Sequence, residues 1–222
     1  MIALLNRLQD LLEATRRVDF LAPLALRLYL VPVFWVAGMN KAGAFGDTVS
    51  WFGNAEWGLG LPLPWLMVSL VIFAEAFGAI MLLLGLAVRW IAIPLLVTMV
   101  VAATTVHWEN GWQAVHDPMS PFASQYTFGI EAEAAAEARQ RQQAARSLLR
   151  EHGNWNWLTE KGSFIIAKNG IEWAATYFVM VLALFFTGGG RLSLDHAIAR
   201  RYRRRVRMPG GDGVALPRSD AM

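Results

Sequence analysis

Four long apolar stretches separated by polar segments divide the chain and predict its membrane-spanning helices. They lie at about residues 21–38, 64–84, 90–106 and 171–187. Each is near the ~20 residues that a helix needs to cross the hydrocarbon core of a bilayer. The first and third contain Pro32 and Pro94, which membrane helices tolerate where neighbours satisfy the freed carbonyl groups. The pattern predicts an all-α integral membrane protein, a bundle of four transmembrane helices.

Residues 1–19 show a different pattern, with leucines at helical spacing. The leucines that share one face of a helix are Leu4, Leu5, Leu8, Leu11 and Leu12. Arg7, Asp10 and Glu13 lie elsewhere around the same helix. A helix with one apolar and one charged face typically lies in the membrane interface, so residues 1–19 are predicted to be a cytoplasmic interfacial helix.

The longest polar segment, residues 107–170, connects the third and fourth predicted spans. Its middle, EAEAAAEARQRQQAARSLLREHG at 131–153, is rich in helix formers and ends in Gly153, a typical stop signal. We expect a surface helix within a long loop. Residues 20–190 then form the membrane domain, and residues 191–222 form a basic tail whose end, 209–222, is predicted to be disordered.

Basic residues next to the spans predict the orientation. Arg16 and Arg17 precede the first span, Arg89 lies between the second and third, and RRYRRRVR at 200–207 follows the fourth. All of these fall on one side of a four-span protein, whereas loop 107–170 balances its basic residues against acidic ones. By the positive-inside rule both termini are predicted to be cytoplasmic and the long loop periplasmic. The predicted location is a bacterial inner membrane.

Composition narrows the possible chemistry. The chain of 222 residues is 55% hydrophobic, its net charge is +3, and it has no cysteine. Its mean hydropathy of +0.36 agrees with a small multi-pass membrane protein. Without cysteine, intrinsic disulfides, iron–sulfur clusters and cysteine-ligated metals are excluded. The arginine run is a terminal feature, so nucleic acid is not a predicted partner; the lipid bilayer is.

One carboxylate interrupts the second span, in VIFAEAFGAIMLLLG at 71–85. An ionised Glu75 alone at the bilayer centre would cost at least ~2.5 kcal/mol, so it should be paired or face a cavity. Gly78 and Ala79 share its helical face, which turns it towards the other helices. Estimated depths predict a buried ion pair between Arg27 and Glu75. This ion pair either has a functional role or only holds the helices of the bundle together.

A second group of polar residues gathers at the ends of three predicted spans, on the periplasmic side. Its members are Asn40, Lys41, His107, Glu109, Asn169 and Glu172. An imidazole, an ammonium and carboxylates at this level are predicted to form a ligand site for a quinone head group or a soluble partner. The alternative is that they are ordinary polar residues at helix ends.

Copper ligands are a weaker possibility. The residues with suitable side chains are Met39, His107, His116, Met119 and His152. Their spacing matches no compact site, so no intrinsic metal site is predicted and copper binding stays open.

Several blocks of the sequence resemble the DoxX family of small four-helix membrane proteins, over roughly residues 24–195. LRLYLVPVFWVAGMNKAG resembles the first span of the family, EAFGAIMLLLGL the second, and GGGRLSLD at 188–195 its glycine-rich exit from the last. The long loop and the phrases DTVSWFGNAEWGLGLPLP, VTMVVAATTVHWENGWQAV and NGIEWAATYFVMVLALFFTGGGR further resemble the HvfX-type branch. That branch is associated with gene clusters for bufferin-type copper-binding modified peptides.

The resemblance implies an accessory role in peptide maturation or in redox and metal homeostasis, and it carries over no catalytic residue. Two hypotheses follow. In the first, the protein is a subunit of a quinone-linked membrane oxidoreductase, with a quinone as its borrowed carrier. In the second, it is a non-enzymatic scaffold or a transport factor for a small solute or peptide. A precursor peptide, its biosynthetic enzymes and a second copy of the chain are the partners to consider.

Overall fold

The computed structural model describes residues 2–115 and 132–206. Within these ranges the chain is helical, and its one pair of extended residues is an isolated antiparallel bridge between Val115 and Ala167. The prediction of an all-α fold is confirmed to that extent. The helix α1 spans Ile2–Thr15, and a short 3-10 turn at Arg16–Val18 leads from it towards the bundle.

Among the described residues, three helices are long and apolar enough to cross a membrane. They are α2 at Leu21–Gly43, α4 at Pro64–Leu84 and α5 at Val88–Asn110. A fourth apolar helix, α8 at Glu172–Thr187, is shorter, with 16 residues. It packs against α5 and α2. We call the end of the bundle where α2 begins and α8 ends the termini end, and the opposite end the loop end.

Two spans are longer than their apolar stretches. The first was predicted to end at residue 38, yet α2 continues to Gly43 and includes Asn40 and Lys41. A charged residue can continue this helix because its side chain turns towards the bundle, as described below. The third was predicted over 90–106, and α5 extends it at both ends.

Two of these helices change their hydrogen-bonding pattern partway along. In α4 the residues Phe73–Phe77 form a π-helical turn, and in α5 the residues Ala102–His107 form another. Such turns insert an extra residue into an α-helix and are frequent at functional sites. Glu75 lies at the centre of the first, and His107 ends the second.

Close helix packing brings α2 against the π segment of α4. A Cβ atom at Gly38 would lie 2.7 Å from the backbone nitrogen of Ala76, so only glycine fits this contact. Small residues allow such approaches between membrane helices. Below this level, towards the termini end, the bundle is filled by apolar side chains, among them Leu30, Leu82, Leu95 and Leu184.

Helices outside the spans complete the described structure. They are α3 at Phe45–Gly53, α6 at Ala132–His152, α7 at Trp155–Thr159 and α9 at Leu194–Val206. The helix α6 occupies the stretch predicted to be helical, and it ends just before Gly153. The start of the basic tail is helical as α9, which the sequence did not predict. The predicted disorder at 209–222 lies outside the described residues.

Candidate functional site

The carboxylate of Glu75 is buried at the centre of α4 and paired with Lys41 of α2. The Nζ atom of Lys41 donates hydrogen bonds to both carboxylate oxygens, at 3.0 and 2.7 Å. The Glu75 side chain is 5% exposed and that of Lys41 is 29% exposed. Lys41 also lies 3.4 Å from the carbonyl oxygen of Ala37. The counter-charge of the buried carboxylate therefore comes from a lysine that is partly open at the loop end.

The predicted pair of Arg27 with Glu75 is wrong, and the helix register explains why. Glu75 lies at the level of Gly38, whose missing Cβ would be 3.1 Å from that of Glu75. Lys41 is one turn beyond Gly38, roughly 4–5 Å along the axis at 1.5 Å per residue. Arg27 is three turns away in the other direction, roughly 16 Å along the axis. A lysine side chain spans the first offset, and an arginine side chain cannot span the second.

Arg27 is buried, as expected, but its guanidinium donates hydrogen bonds to backbone carbonyls and not to the Glu75 carboxylate. Its side chain donates to the carbonyl of Leu82 at 3.4 Å and to the carbonyl of Leu192 at 2.5 Å. A Cβ at Gly85, where φ is +64°, would overlap the Arg27 guanidinium and lie 2.6 Å from Cβ of Ser193. Arg27 thus ties α2 to the end of α4 and to the segment that follows α8.

Asp195 closes the same junction from the chain segment after α8. Its carboxylate accepts hydrogen bonds from the backbone N–H groups of Ala87 and Val88, at 2.7 and 3.0 Å. Its own N–H donates to the carbonyl of Gly85 at 3.0 Å. A carboxylate at the first turn of a helix satisfies free N–H groups and complements the helix dipole. Asp195 is the last residue of the GGGRLSLD motif, and its capping role is not apparent from the sequence.

At the loop end, two chain segments bond to each other where α5 stops and α8 starts. Residues 111–115 and 167–172 pair through a run of backbone hydrogen bonds, which we call the loop clasp. It includes Gly170 to Gln113, Ile171 to Gly111 and Glu172 to Trp112, at 2.8–2.9 Å. The clasp fastens the start of α8 to the exit of α5.

Two of the predicted ligand residues, Asn169 and Glu172, belong to this clasp, and a third, His107, contacts it. Nδ1 of His107 lies 2.8 Å from the carbonyl oxygen of Asn169, and the Glu172 carboxylate accepts from the N–H of Ala114 at 3.0 Å. Asn169 has a positive φ of +60°, a conformation that asparagine tolerates better than most residues. His107, Asn169 and Glu172 are therefore brought together, but their contacts secure the backbone.

The other predicted ligand residues lie elsewhere. Lys41 is bonded to Glu75, Asn40 is exposed on α2, and Glu109 lines a small recess of about 110 Å³ beside α6. The described residues contain no group of three His, Asp or Glu side chains that could hold a metal ion. His116 and Met119 lie outside the described residues. Three of the six predicted residues are thus brought together at the clasp, and the other three lie in separate surroundings.

The contacts of the loop clasp predict small losses of stability for substitutions at Glu172 and His107, of a size that depends on the substitution. Glu172→Gln retains an oxygen that can accept from Ala114, so it should change the thermal midpoint little, whereas Glu172→Leu should lower stability by about 1–3 kcal/mol. His107→Ala should cost about 1 kcal/mol. Thermal unfolding in detergent measures both. If Glu172→Gln is as harmful as Glu172→Leu, the bond to Ala114 is not what Glu172 contributes.

The fold and the buried pair define a class: a multi-pass helical membrane protein with an ion pair between two of its spans. Comparison with protein families agrees, because the model of the DoxX family matches residues 22–108. The match covers α2 to nearly the end of α5 and includes Arg27, Lys41 and Glu75. No curated protein and no solved structure matches the chain.

Proposed function

We propose that the chain is a DoxX-type protein of the bacterial inner membrane. We propose further that it is an accessory factor in the maturation, or in the redox and metal homeostasis, of a copper-binding modified peptide. The Lys41–Glu75 pair is its functional centre. The observation that carries this proposal is the buried carboxylate in a π-helical turn, paired with a partly exposed lysine of another span. Ionisable residues inside a membrane are expensive and mark functional sites by default.

The ligand we propose for this centre is a quinone head group. Lys41 can donate a hydrogen bond to a quinone carbonyl in place of its longest contact, the 3.4 Å one to Ala37. Glu75 holds the Lys41 Nζ atom at the level of the π-helical turn through two shorter bonds. A bound quinone would supply two-electron, two-proton redox chemistry that a chain without cysteine does not contain.

Quinone analysis of the purified protein tests this function. Protein extracted in mild detergent should retain quinone in a fixed ratio to protein, and deletion of the gene should lower copper tolerance of the cells. Clasp variants such as Glu172→Gln should retain the quinone and serve as controls. Quinone recovered only in proportion to carried-over lipid would contradict the quinone part of the proposal.

The topology we propose has four crossings, with α8 as the fourth and both termini in the cytoplasm. Single cysteines introduced into this cysteine-free chain can report it. A cysteine in α6 should react with a membrane-impermeant reagent added from the periplasmic side, and one in α1 should react only after the membrane is opened. The reverse pattern would contradict the orientation, and labelling of both from outside would contradict the three crossings by α2, α4 and α5 that separate α1 from α6.

A scaffold is the second candidate function, and one feature favours it. Gln142 and Arg146 of α6 donate to the carbonyl of Phe164 at 3.1 and 3.2 Å, so the surface helix is fixed to the body of the loop. A fixed helix outside the membrane could dock a precursor peptide or its biosynthetic enzymes. In that case the purified protein carries no quinone. Substitutions on the exposed face of α6 then abolish function, whereas Lys41 variants that fold retain it.

A further inference from the structure

A basic cleft lies at the termini end, on the opposite side of the bundle from the Lys41–Glu75 pair. Its volume is about 700 Å³. Three arginines from different elements line it: Arg89 from the start of α5, Arg191 from the segment after α8, and Arg203 from α9. The glycine turn at 188–190 forms another part of the lining. None of these residues takes part in the function proposed above.

The acidic groups in the cleft are already engaged. Both carboxylate oxygens of Asp195 accept hydrogen bonds from the N–H groups of Ala87 and Val88. Asp19 lies 3.5 Å from Arg191, in a pair whose two side chains are both 57% exposed. An exposed ion pair of this kind contributes little stability, so another anion can replace Asp19 as the partner of Arg191. The cleft therefore holds three arginines against two carboxylates, and its positive groups are available to another anion.

Arg89 is held in place by groups other than a carboxylate. Its Nε donates to the carbonyl of Phe185 at 2.9 Å, and its guanidinium lies over the Phe185 ring at 5.7 Å from the centroid. These contacts fix the position of the side chain without neutralising its charge. A positioned arginine suits the oxygens of a phosphate, which it can bind through two N–H groups at once.

The faces of α9 place this cleft relative to the membrane. Leu194, Ile198 and Tyr202 form an exposed apolar stripe along the helix. At ~100° per residue the centre of this stripe lies about 150° around the helix from His196 and Arg203, so nearly the opposite face of α9 lines the cleft. The exposed leucines of α1 form a similar stripe at the same end of the bundle. Arg89 in the first turn of α5 and Thr187 at the end of α8 both line the cleft, so the cleft lies where these helices end, at the level of the lipid head groups.

We propose that this cleft binds the phosphate of an anionic phospholipid head group from the adjoining leaflet. A phosphodiester carries a negative charge and has oxygens that guanidinium groups can bind, and three such groups from three elements line the cleft. Basic pockets of this kind between membrane helices are suited to anionic head groups. The lipid would then join α5, α8 and α9 at their shared end.

Native mass spectrometry with added phosphatidylglycerol, and with phosphatidylcholine as the neutral lipid, tests the proposal. The full-length protein should bind phosphatidylglycerol in preference. Arg203→Gln should weaken that binding about fivefold, since one basic residue near a membrane is worth about a factor of this size. Arg89→Gln combined with Arg203→Gln should abolish the preference.

Arg200→Gln is the matched control, because it removes the same charge from the same helix but from a residue that does not line the cleft. It should leave the affinity for phosphatidylglycerol nearly unchanged. Equal losses in Arg200→Gln and Arg203→Gln would mean general attraction by the arginine run and would overturn the site. Inorganic phosphate that binds in detergent and displaces the lipid at millimolar concentration would also overturn it, in favour of a site for a free anion.

Discussion

Lys41→Met is expected to be among the most damaging single substitutions in the membrane domain. It leaves the Glu75 carboxylate buried at 5% exposure without its counter-charge. Breaking a buried pair in this way typically costs about 3–5 kcal/mol. Glu75→Leu should cost less, because the orphaned Lys41 sits near the end of α2 and can extend towards the interface. Folded yield and unfolding in detergent should show this order.

The double variant Lys41→Met with Glu75→Leu decides whether the two residues act as a pair. Residues in direct contact show coupling energies of about 0.5–3 kcal/mol, so the double variant should be more stable than the sum of the single losses predicts. Arg27→Met combined with Glu75→Leu serves as the control and should give additive losses. Additivity for Lys41 with Glu75, or strong coupling of Arg27 with Glu75, would contradict the observed pairing.

Arg27→Met should loosen the termini end and spare the loop end. The substitution keeps much of the side-chain volume but removes the donors to Leu82 and Leu192. The loss of a charged hydrogen bond to Leu192 suggests a cost of about 2–3 kcal/mol. Limited proteolysis should then cut after α8, in the segment that Arg27 holds. Arg27→Lys should rescue this only in part, because a lysine lacks the planar fork of arginine.

Gly85→Ala offers a second route to the same effect without touching Arg27. The new Cβ would meet the guanidinium and Ser193 at a residue whose φ is +64°. The proteolytic pattern should match that of Arg27→Met. If Arg27→Met leaves the segment after α8 protected while Gly85→Ala exposes it, the arginine is not what holds that segment.

Much of the helical fold could be predicted because its signals are local. Apolar runs of sufficient length predicted α2, α4, α5 and α8, and helix-forming composition predicted α6. The four-span count itself stays a proposal, because α8 has only 16 residues. The helix α9 was not predicted because its arginine run was interpreted only as a basic tail, although Leu194, Ile198 and Tyr202 recur at the helical spacing of four residues.

The partner of Glu75 could not be predicted correctly from estimated depths. The π turn in α4 and the extension of α2 past Lys41 change the register of α2 relative to α4. The lengths of the apolar stretches do not indicate these changes. The sequence did predict that both Arg27 and Glu75 face the bundle, and both are buried. His107 and Glu172 were chosen for their titratable groups, but their role in the clasp depends on backbone atoms of a distant segment.

Quinone content per mole of folded protein, compared between the wild type and the double variant Lys41→Met with Glu75→Leu, tests the functional centre most directly. The variant replaces both charges with apolar side chains of similar size, so it should fold well enough to purify. We expect quinone in the wild-type protein and its loss from the folded double variant. Equal quinone in the two proteins, or none in either, would contradict the assignment of the Lys41–Glu75 pair as a quinone-binding centre.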